Sequence, residues 1–306
     1  MWDMIPRKVV VGVLTADCEP ALQAAAQEAA RRRCGVHLLH VLQPVYVTHP
    51  QIEELELIAG ELHRAGATVV AEAARTLKQL MPEDLVVSTE LCHGAVVSSL
   101  VEVSAHACLL VLHQRDEHRH LLSTIQSVAA RAQCPVLVVP HAWRCEDSAE
   151  EKWVVAGVED ASRSARVVQA ALAEASRRNA RLRLVHGLDD HAERTDDMDS
   201  AARAAWLRFE QRALEADLSD LCGSRPDVAV EVEVAPQAPA AAVVAQSRGA
   251  ALAVIGRGHG RLPFVRRPGP VTAEVLSHAT CPVLVVDEGP PGPAPRAREL
   301  SQVAVP

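Results

Sequence analysis

The sequence predicts an α/β protein: two tandem open five-stranded parallel sheets with helices on both faces. Three observations predict it. Apolar runs of strand length alternate with Ala- and Leu-rich helical stretches along the chain, the pattern of a parallel sheet covered on both sides. The hexapeptide Cys-Pro-Val-Leu-Val-Val occurs twice, at 134–139 and 281–286, an offset of 147 residues. Two weaker echoes lie in phase with it: Gly12 and Gly157 are 145 residues apart, and His40 and His186 are 146 apart. A solenoid repeat spans only ~20–50 residues, so each copy is a whole domain. The expected domains are 6–142 and 152–288, joined by a polar, acidic linker. A Pro-rich tail, 289–306, is expected to be disordered or loosely docked.

Each element has its own warrant. In the first copy, 8–14 is a continuous apolar run of strand length. Residues 20–33 form an Ala-rich helix whose basic last turn suits the helix dipole, and Gly35 is expected to end it. Residues 36–42 are the second strand. A long helix at about 51–80 carries Leu55, Ile58 and Leu62 at helical spacing, with Gly66 as a possible kink. Strand 84–91, helix 95–105, strand 108–112, helix 123–132 and strand 135–139 complete the copy. The second copy repeats the order: strand 153–158, helix 163–178, strand 181–185 and helix 196–222. That helix has Leu207, Leu214, Leu218 and Leu221 on one stripe. Strand 228–234 alternates, with Glu231 and Glu233 against valines, which suggests an edge. Helix 239–248, strand 251–255, helix 270–278 and strand 282–286 follow.

Composition narrows the function classes. The 306 residues are 49% hydrophobic and 23% charged, which is globular. Aromatics are 2%, too few for the stacking platforms that single-stranded nucleic acid needs. The net charge of −8 leaves no electrostatic footprint for nucleic acid or an anionic membrane. Eight scattered cysteines without a Cys-x-x-Cys pair read as reduced core thiols. The first apolar run, 9–14, is too short for a signal peptide or a membrane span. A cytoplasmic protein is the expectation.

These residues resemble the universal stress protein family. Its members open with a strand of the form Val-Val-Gly-Val-Asp and often end the second strand in His-Val. They close with a helix and Cys-Pro-Val-Leu-Val-Val. Both copies match that frame over nearly their whole length. The resemblance implies an adenine-nucleotide α-hydrolase-like sheet of strand order 3-2-1-4-5. It also implies pairing of last strands edge to edge, here within one chain as a pseudo-dimer, with a homodimer through other surfaces left open.

The resemblance further implies where a nucleotide would sit. In ATP-binding members the fourth strand runs into Gly-x-x-Gly, then nine residues, then Gly-Ser or Gly-Thr opening the last helix. Glycines let backbone approach phosphate, and the helix N-terminus offers free N–H groups. In the second copy Gly256 and Gly269 keep the spacing. His259 stands where the second glycine is expected, flanked by Gly258 and Gly260. Pro270 stands where the hydroxyl is expected, followed by Val271 and Thr272. Arg257, Arg261, Arg266 and Arg267 are candidates to neutralise phosphate. Gly157, Val158, Glu159 and Asp160 end the first strand, Glu159 standing where the family has Asp, and His186 and Gly187 end the second. The implied ligand is ATP, with Mg2+ in its company. In the first copy the strand-end acid is Leu14, and 113–120 is rich in histidine and charge with no glycine, so no ATP is expected there.

The residues leave alternatives open. The glycine loop is either a phosphate cradle or an inherited loop that no longer binds. Glu159 and Asp160 are either ligand contacts or helix caps. His40 and His186 read as structural hydrogen bonders, and His113, His118 and His120 as a charged surface loop rather than a metal cluster. No nucleophile stands with a base at motif spacing, and no Gly-x-Ser-x-Gly elbow occurs. Three functions remain: a regulatory ATP-binding protein with little or no turnover, a scaffold acting through partners, and a nucleotide-transforming enzyme of the same fold group.

Overall fold

The computed structural model describes residues 8–15, 17–43, 52–82, 84–114, 119–144, 152–188, 199–258 and 267–289. The first repeat runs β1 (Lys8–Gly12), α1 (Glu19–Arg32), β2 (Val36–Leu42), α2 (Ile52–Leu80), β3 (Val87–His93), α3 (Val96–Ser104), β4 (Ala107–Gln114), α4 (Arg119–Ala129) and β5 (Val136–Pro140). The second runs β6 (Trp153–Gly157), α5 (Ala161–Arg178), β7 (Arg181–Gly187), α6 (Ser200–Gly223), β8 (Val230–Ala235), α7 (Pro239–Gln246), β9 (Leu252–Gly256), α8 (Pro270–His278) and β10 (Val283–Val286).

Each repeat has the expected parallel order 3-2-1-4-5, but the two sheets are not separate. Among the described residues they form one ten-stranded sheet, β3-β2-β1-β4-β5-β10-β9-β6-β7-β8. The join is the antiparallel pair β5–β10, the only antiparallel step described in it. Leu137 faces Leu284, Val138 faces Val283 and Val136 faces Val285. Leu137 and Leu284 are the same position of the repeated hexapeptide, so a pseudo-dyad passes between them. The strand pairs with its own copy, as in an isologous dimer interface.

The period-2 alternation of strand side chains sorts the core into two layers. Val9, Val11, Leu109 and Val111 face α1 and α2, and the same layer continues into α5 and α6 through Val168, Leu172, Leu214 and Leu218. Val10, Leu110 and Leu112 face α3 and α4, and that layer continues into α7 and α8 through Val243, Val275 and Leu276. Both layers cross the seam without a break. The edge strand β8 is half-exposed and carries Glu231 and Glu233, which fits the predicted edge.

Above the β5–β10 join, α1 meets α5 through buried charge. Arg32 donates to Glu174 at 2.7 Å, and Arg178 reciprocates to Glu28. Within each helix Arg32 pairs with Glu28, and Arg178 with Glu174, at i,i+4. Arg31 adds a bond to Glu28 at 2.8 Å and Arg177 one to Glu174 at 2.6 Å. The Glu28, Glu174 and Arg178 side chains are 2–4% exposed. Every partner is matched by its copy 146 residues away, so the quartet obeys the same pseudo-dyad as the strands.

Four local expectations are corrected. Helix α1 ends in a left-handed Arg33 (φ 51°), not at Gly35. Gly35 is needed because a Cβ there would lie 2.6 Å from the Val86 carbonyl oxygen. Helix α2 runs unbroken through Gly66, whose Cβ would meet Leu42 Cδ2 at 2.8 Å. The glycine lets the helix sit down on β2 and β3. The buried face of α2 is Val70, Ala73 and Leu77, while Leu62 is exposed; the Leu55 side chain lies outside the described residues. Finally, β3 begins at Val87 because Leu85 closes a turn onto the Pro82 carbonyl. The seven described cysteines are free, and burial pushes the thiols of Cys18 and Cys281 up to about 12, as inert core groups.

The quartet yields two expected outcomes. Breaking a buried ion pair strands its partner, at a cost of about 3–5 kcal/mol. Arg178→Met is expected to lower unfolding free energy by about that much in urea titration. The quadruple change Glu28→Leu, Arg32→Met, Glu174→Leu, Arg178→Met is expected to lose far less, because no charge is left unpaired. A quadruple variant as unstable as the single one would mean that the charges themselves hold the seam. Burial pushes the Glu174 carboxyl up, but Arg178, Arg32 and Arg177 hold it below its ordinary 4.5. Its folded pKa is therefore depressed. The stabilisation is complete above the unfolded value and disappears as pH falls through the folded one. Stability of the wild type should drop more steeply below pH 4.5 than that of Glu174→Gln.

Candidate functional site

In an open parallel sheet ligands bind beyond the carboxyl ends of the strands, where the strand order turns. In the second repeat the turn is at β6, between β9 and β7. The ends of β6, β7 and β9 and the start of α8 therefore define the crevice. These elements carry the residues picked from the sequence, except His259 and Gly260, which lie outside the described residues with Arg261 and Arg266.

The glycine loop is closed at its base by backbone. Gly269 N–H donates to the Arg257 carbonyl at 2.8 Å. Gly258 sits at φ +67°, and a Cβ on it would lie 2.8 Å from Gly269 Cα. Gly269 is the N-cap residue of α8 and has no side-chain cap. Pro270 fills the first turn, where its missing N–H costs no helix bond. Val271 is exposed and Thr272 is buried. The Thr272 hydroxyl donates to the Gly256 carbonyl at 2.8 Å. It ties the helix to the strand end.

A carboxylate rests on this loop. Gly258 N–H donates to Glu288 Oε2 at 3.1 Å, and the Glu288 side chain lies across Gly256, where a Cβ would collide with it. Asp287 is held between Arg166 at 3.1 Å and Arg257 at 3.8 Å. Sequence reasoning passed over Asp287 and Glu288. The signal was available: in strand order 3-2-1-4-5 the fifth strand ends beside the fourth, and Val286 is in register with Gly256. Residues just past 286 must then lie over the glycine loop.

The other candidates are also engaged within the fold. Asp160 is the N-cap of α5, accepting from Arg163 N–H at 2.9 Å and from the Ser162 hydroxyl at 2.7 Å. Burial raises its carboxyl, but those bonds and Arg163 hold it below its ordinary value. The Glu159 carboxylate is exposed and pairs with Arg163. Of the two readings of this acid pair, capping and solvent pairing describe the structure. His186 Nδ1 bonds the Val158 carbonyl at 3.0 Å, as His40 Nδ1 bonds that of Val13 at 2.6 Å. The repeated histidine thus ties the second strand to the loop after the first. Val158 is buried. Gly157 would bring a Cβ to 3.0 Å from Val243, and Gly187 would bring one to 2.7 Å from Pro239 N and 2.8 Å from the Gln237 carbonyl oxygen. The Arg257 guanidinium reaches both the seam and the loop: it donates to the Cys134 carbonyl of the first repeat at 3.2 Å and pairs with Asp287 at 3.8 Å. Arg267 is exposed.

The first repeat is closed at the equivalent place. His113 was expected on a surface loop; it is buried at the end of β4, in register with Val139. The rest of that loop, 115–118, and the His120 side chain lie outside the described residues. By strand register His113 stands where Gly256 stands, and His141 where Glu288 stands. Their rings pack at 5.4 Å between centroids. A ring pair fills what the second repeat leaves to glycine and a carboxylate.

A cavity of about 670 Å³ opens elsewhere, at the amino ends of β6, β9 and β10 on the seam. Arg31, Arg144, Lys152, Arg178, Ser247 and Thr280 help to line it. Arg31 and Arg178 there are committed to Glu28. Among the described residues no helix is long and apolar enough to cross a membrane.

Comparison with known proteins gives one consistent result. The model of the universal stress protein family matches residues 6–140 and again 152–287. A universal stress protein of Mycobacterium tuberculosis strain H37Rv is 30% identical over 297 residues, covering 92% of this chain and 98% of its own length. A second one from that strain is 28% identical over 294 residues, with 92% and 96% covered. A crystal structure of a universal stress protein from Archaeoglobus fulgidus superposes with a TM-score of 0.62 at 14% identity, covering 92% of this chain and 97% of its own, and shares the fold.

The packing roles of the glycines are open to a paired test. Gly187→Ala puts a methyl group against backbone that cannot yield, an overpacking expected to cost about 1–3 kcal/mol. Gly60→Ala, in helix α2 with nothing near its Cβ, is expected to stabilise by about 0.5–1 kcal/mol. Urea unfolding midpoints of the two variants should move in opposite directions.

Proposed function

The chain belongs to the universal stress protein family, and from that premise we propose that its second repeat is a regulatory adenine-nucleotide site in a cytoplasmic stress-response protein. One observation carries the reading. The N–H of Gly258 already holds an anion, the Glu288 carboxylate, over the backbone of Gly256 and Gly258. A phosphate oxygen accepts the same bond. Helix α8 opens beside it at an uncapped Gly269, and the positive end of a helix dipole favours phosphate. The adenosine part of the ligand would lie toward the ends of β6 and β7, as the family resemblance implies.

The departures from the family pattern set limits. Pro270 removes one N–H, and Thr272 spends its hydroxyl on the Gly256 carbonyl. Phosphate is thus held by few donors, and the affinity for ATP should be modest. Mg2+ would have to come with the ATP: Glu159 is paired with Arg163 and Asp160 caps α5, so neither residue fits a resident metal. Both strand-end acids are so engaged, which supports a nucleotide that acts as a signal with little or no turnover. The first repeat, filled by His113 and His141, is a structural copy that supplies half of the seam.

A second reading has an observation in its favour. Because Thr272 and Glu288 satisfy the loop internally, the site reads equally as a closed scaffold that works through protein partners. Calorimetric titration separates the two. Nucleotide binding predicts ATP uptake at one site per chain, abolished by Gly269→Glu and unaffected by His113→Ala. No heat of binding at millimolar ATP would leave the scaffold.

A further inference from the structure

The last strand of the second repeat delivers a charge to the loop that would bind phosphate. Strand pairing of β10 ends at Val286. Asp287 is then clamped by Arg166 and Arg257, and Gly289 turns at φ +77° against the Arg166 guanidinium. Glu288 lies between these two anchors. Its side chain crosses Gly256 and its carboxylate takes the Gly258 N–H. We propose that Glu288 is a tethered anion that competes with the phosphate of an incoming nucleotide, so that the chain itself sets the threshold of its second-repeat site. This rests on the nucleotide reading above.

One amide N–H cannot serve two anions, and a carboxylate and a phosphate within van der Waals contact repel in a partly desolvated site. A group held a few residues from its target acts at millimolar or higher effective concentration. Occupancy by Glu288 is therefore the default, and a ligand must exceed it. Glu288 is half-buried and lies beyond the last sheet bond, so it can move without breaking strand pairing. The first repeat shows the contrast: at the same two register positions His113 and His141 pack ring against ring, which closes the site by volume. The second repeat closes its site with charge, which a stronger anion reverses. The competition discriminates by phosphate. ATP and AMP must displace the carboxylate, whereas adenosine, without phosphate, has nothing to displace.

Glu288→Gln keeps the size and removes the charge; Glu288→Ala removes the group. Both lie past the last strand, and thermal unfolding of each should match the wild type. Calorimetric titration is expected to show ATP and AMP bound about tenfold more tightly by both variants, the scale of one hydrogen bond to a charged group. Adenosine affinity should be unchanged. Three results would overturn the proposal. If the wild type binds ATP and neither variant binds it more tightly, the competition is wrong and the nucleotide site stands. If adenosine tightens as much as ATP, Glu288 acts by bulk and not by charge. If none of the three proteins binds ATP at millimolar concentration, the nucleotide site falls and the competition with it.

Discussion

A sheet edge left in water is a row of unpaired N–H and C=O groups, a template for the next strand that comes by. Each repeat of this chain ends in such an edge, made of Val-Leu-Val-Val, and the two edges are the same sequence. Pairing β5 with β10 closes both at once. Much else follows from that join. It brings the last turns of α1 and α5 together, where Glu28, Arg32, Glu174 and Arg178 have to be buried. It lets both core layers run across the seam. It gives the Arg257 guanidinium a carbonyl of the first repeat to bind. Buried ion pairs add little net stability, because the desolvation of each charge offsets the attraction. Their contribution here is geometric: each arginine finds its second carboxylate only when α1 and α5 are in one register.

The outer edges of the combined sheet are handled differently. Strand β8 presents Glu231 and Glu233, engaged by Arg181, Arg183 and Gln246 from neighbouring elements. Charge along an edge discourages further strand addition. The protein thus spends its apolar edges internally and keeps charge on an outer one. Self-association through the last strands, the mode the family resemblance implies between chains, is already used up inside this one.

Much of the architecture was legible from residues. Apolar runs located the strands to within a few positions, and the repeated hexapeptide announced the duplication; the pairing edge came from the family resemblance. The roles of single residues were harder to read, for identifiable reasons. Glu28 and Arg32, like Glu174 and Arg178, are i,i+4 pairs, which ordinarily sit in solvent; only the fold shows that two such pairs face each other. His113 looked like part of a polar loop because its neighbours are charged, yet it ends β4, an interior strand buried on both faces. Gly35 and Gly66 looked like punctuation, and Gly187 like a site residue; all three are contact points for backbone or packed side chains. At the candidate site the glycine spacing was visible. The partner that occupies it, Glu288, comes from the neighbouring strand, and linear motifs do not cross strands.

The self-complementary seam also has a history within the life of each molecule. A ribosome adds about 5–20 residues per second. The first hexapeptide ends at residue 139 and its mate ends 147 residues later, so the nascent first repeat waits about 7–30 s for the strand that covers it. During that interval its apolar edge and half of a charged quartet stand open. Neighbouring chains on one messenger carry the same edge, and an identical strand from any of them would fit. Faithful assembly of this protein is therefore a race between the end of its own synthesis and the arrival of a twin.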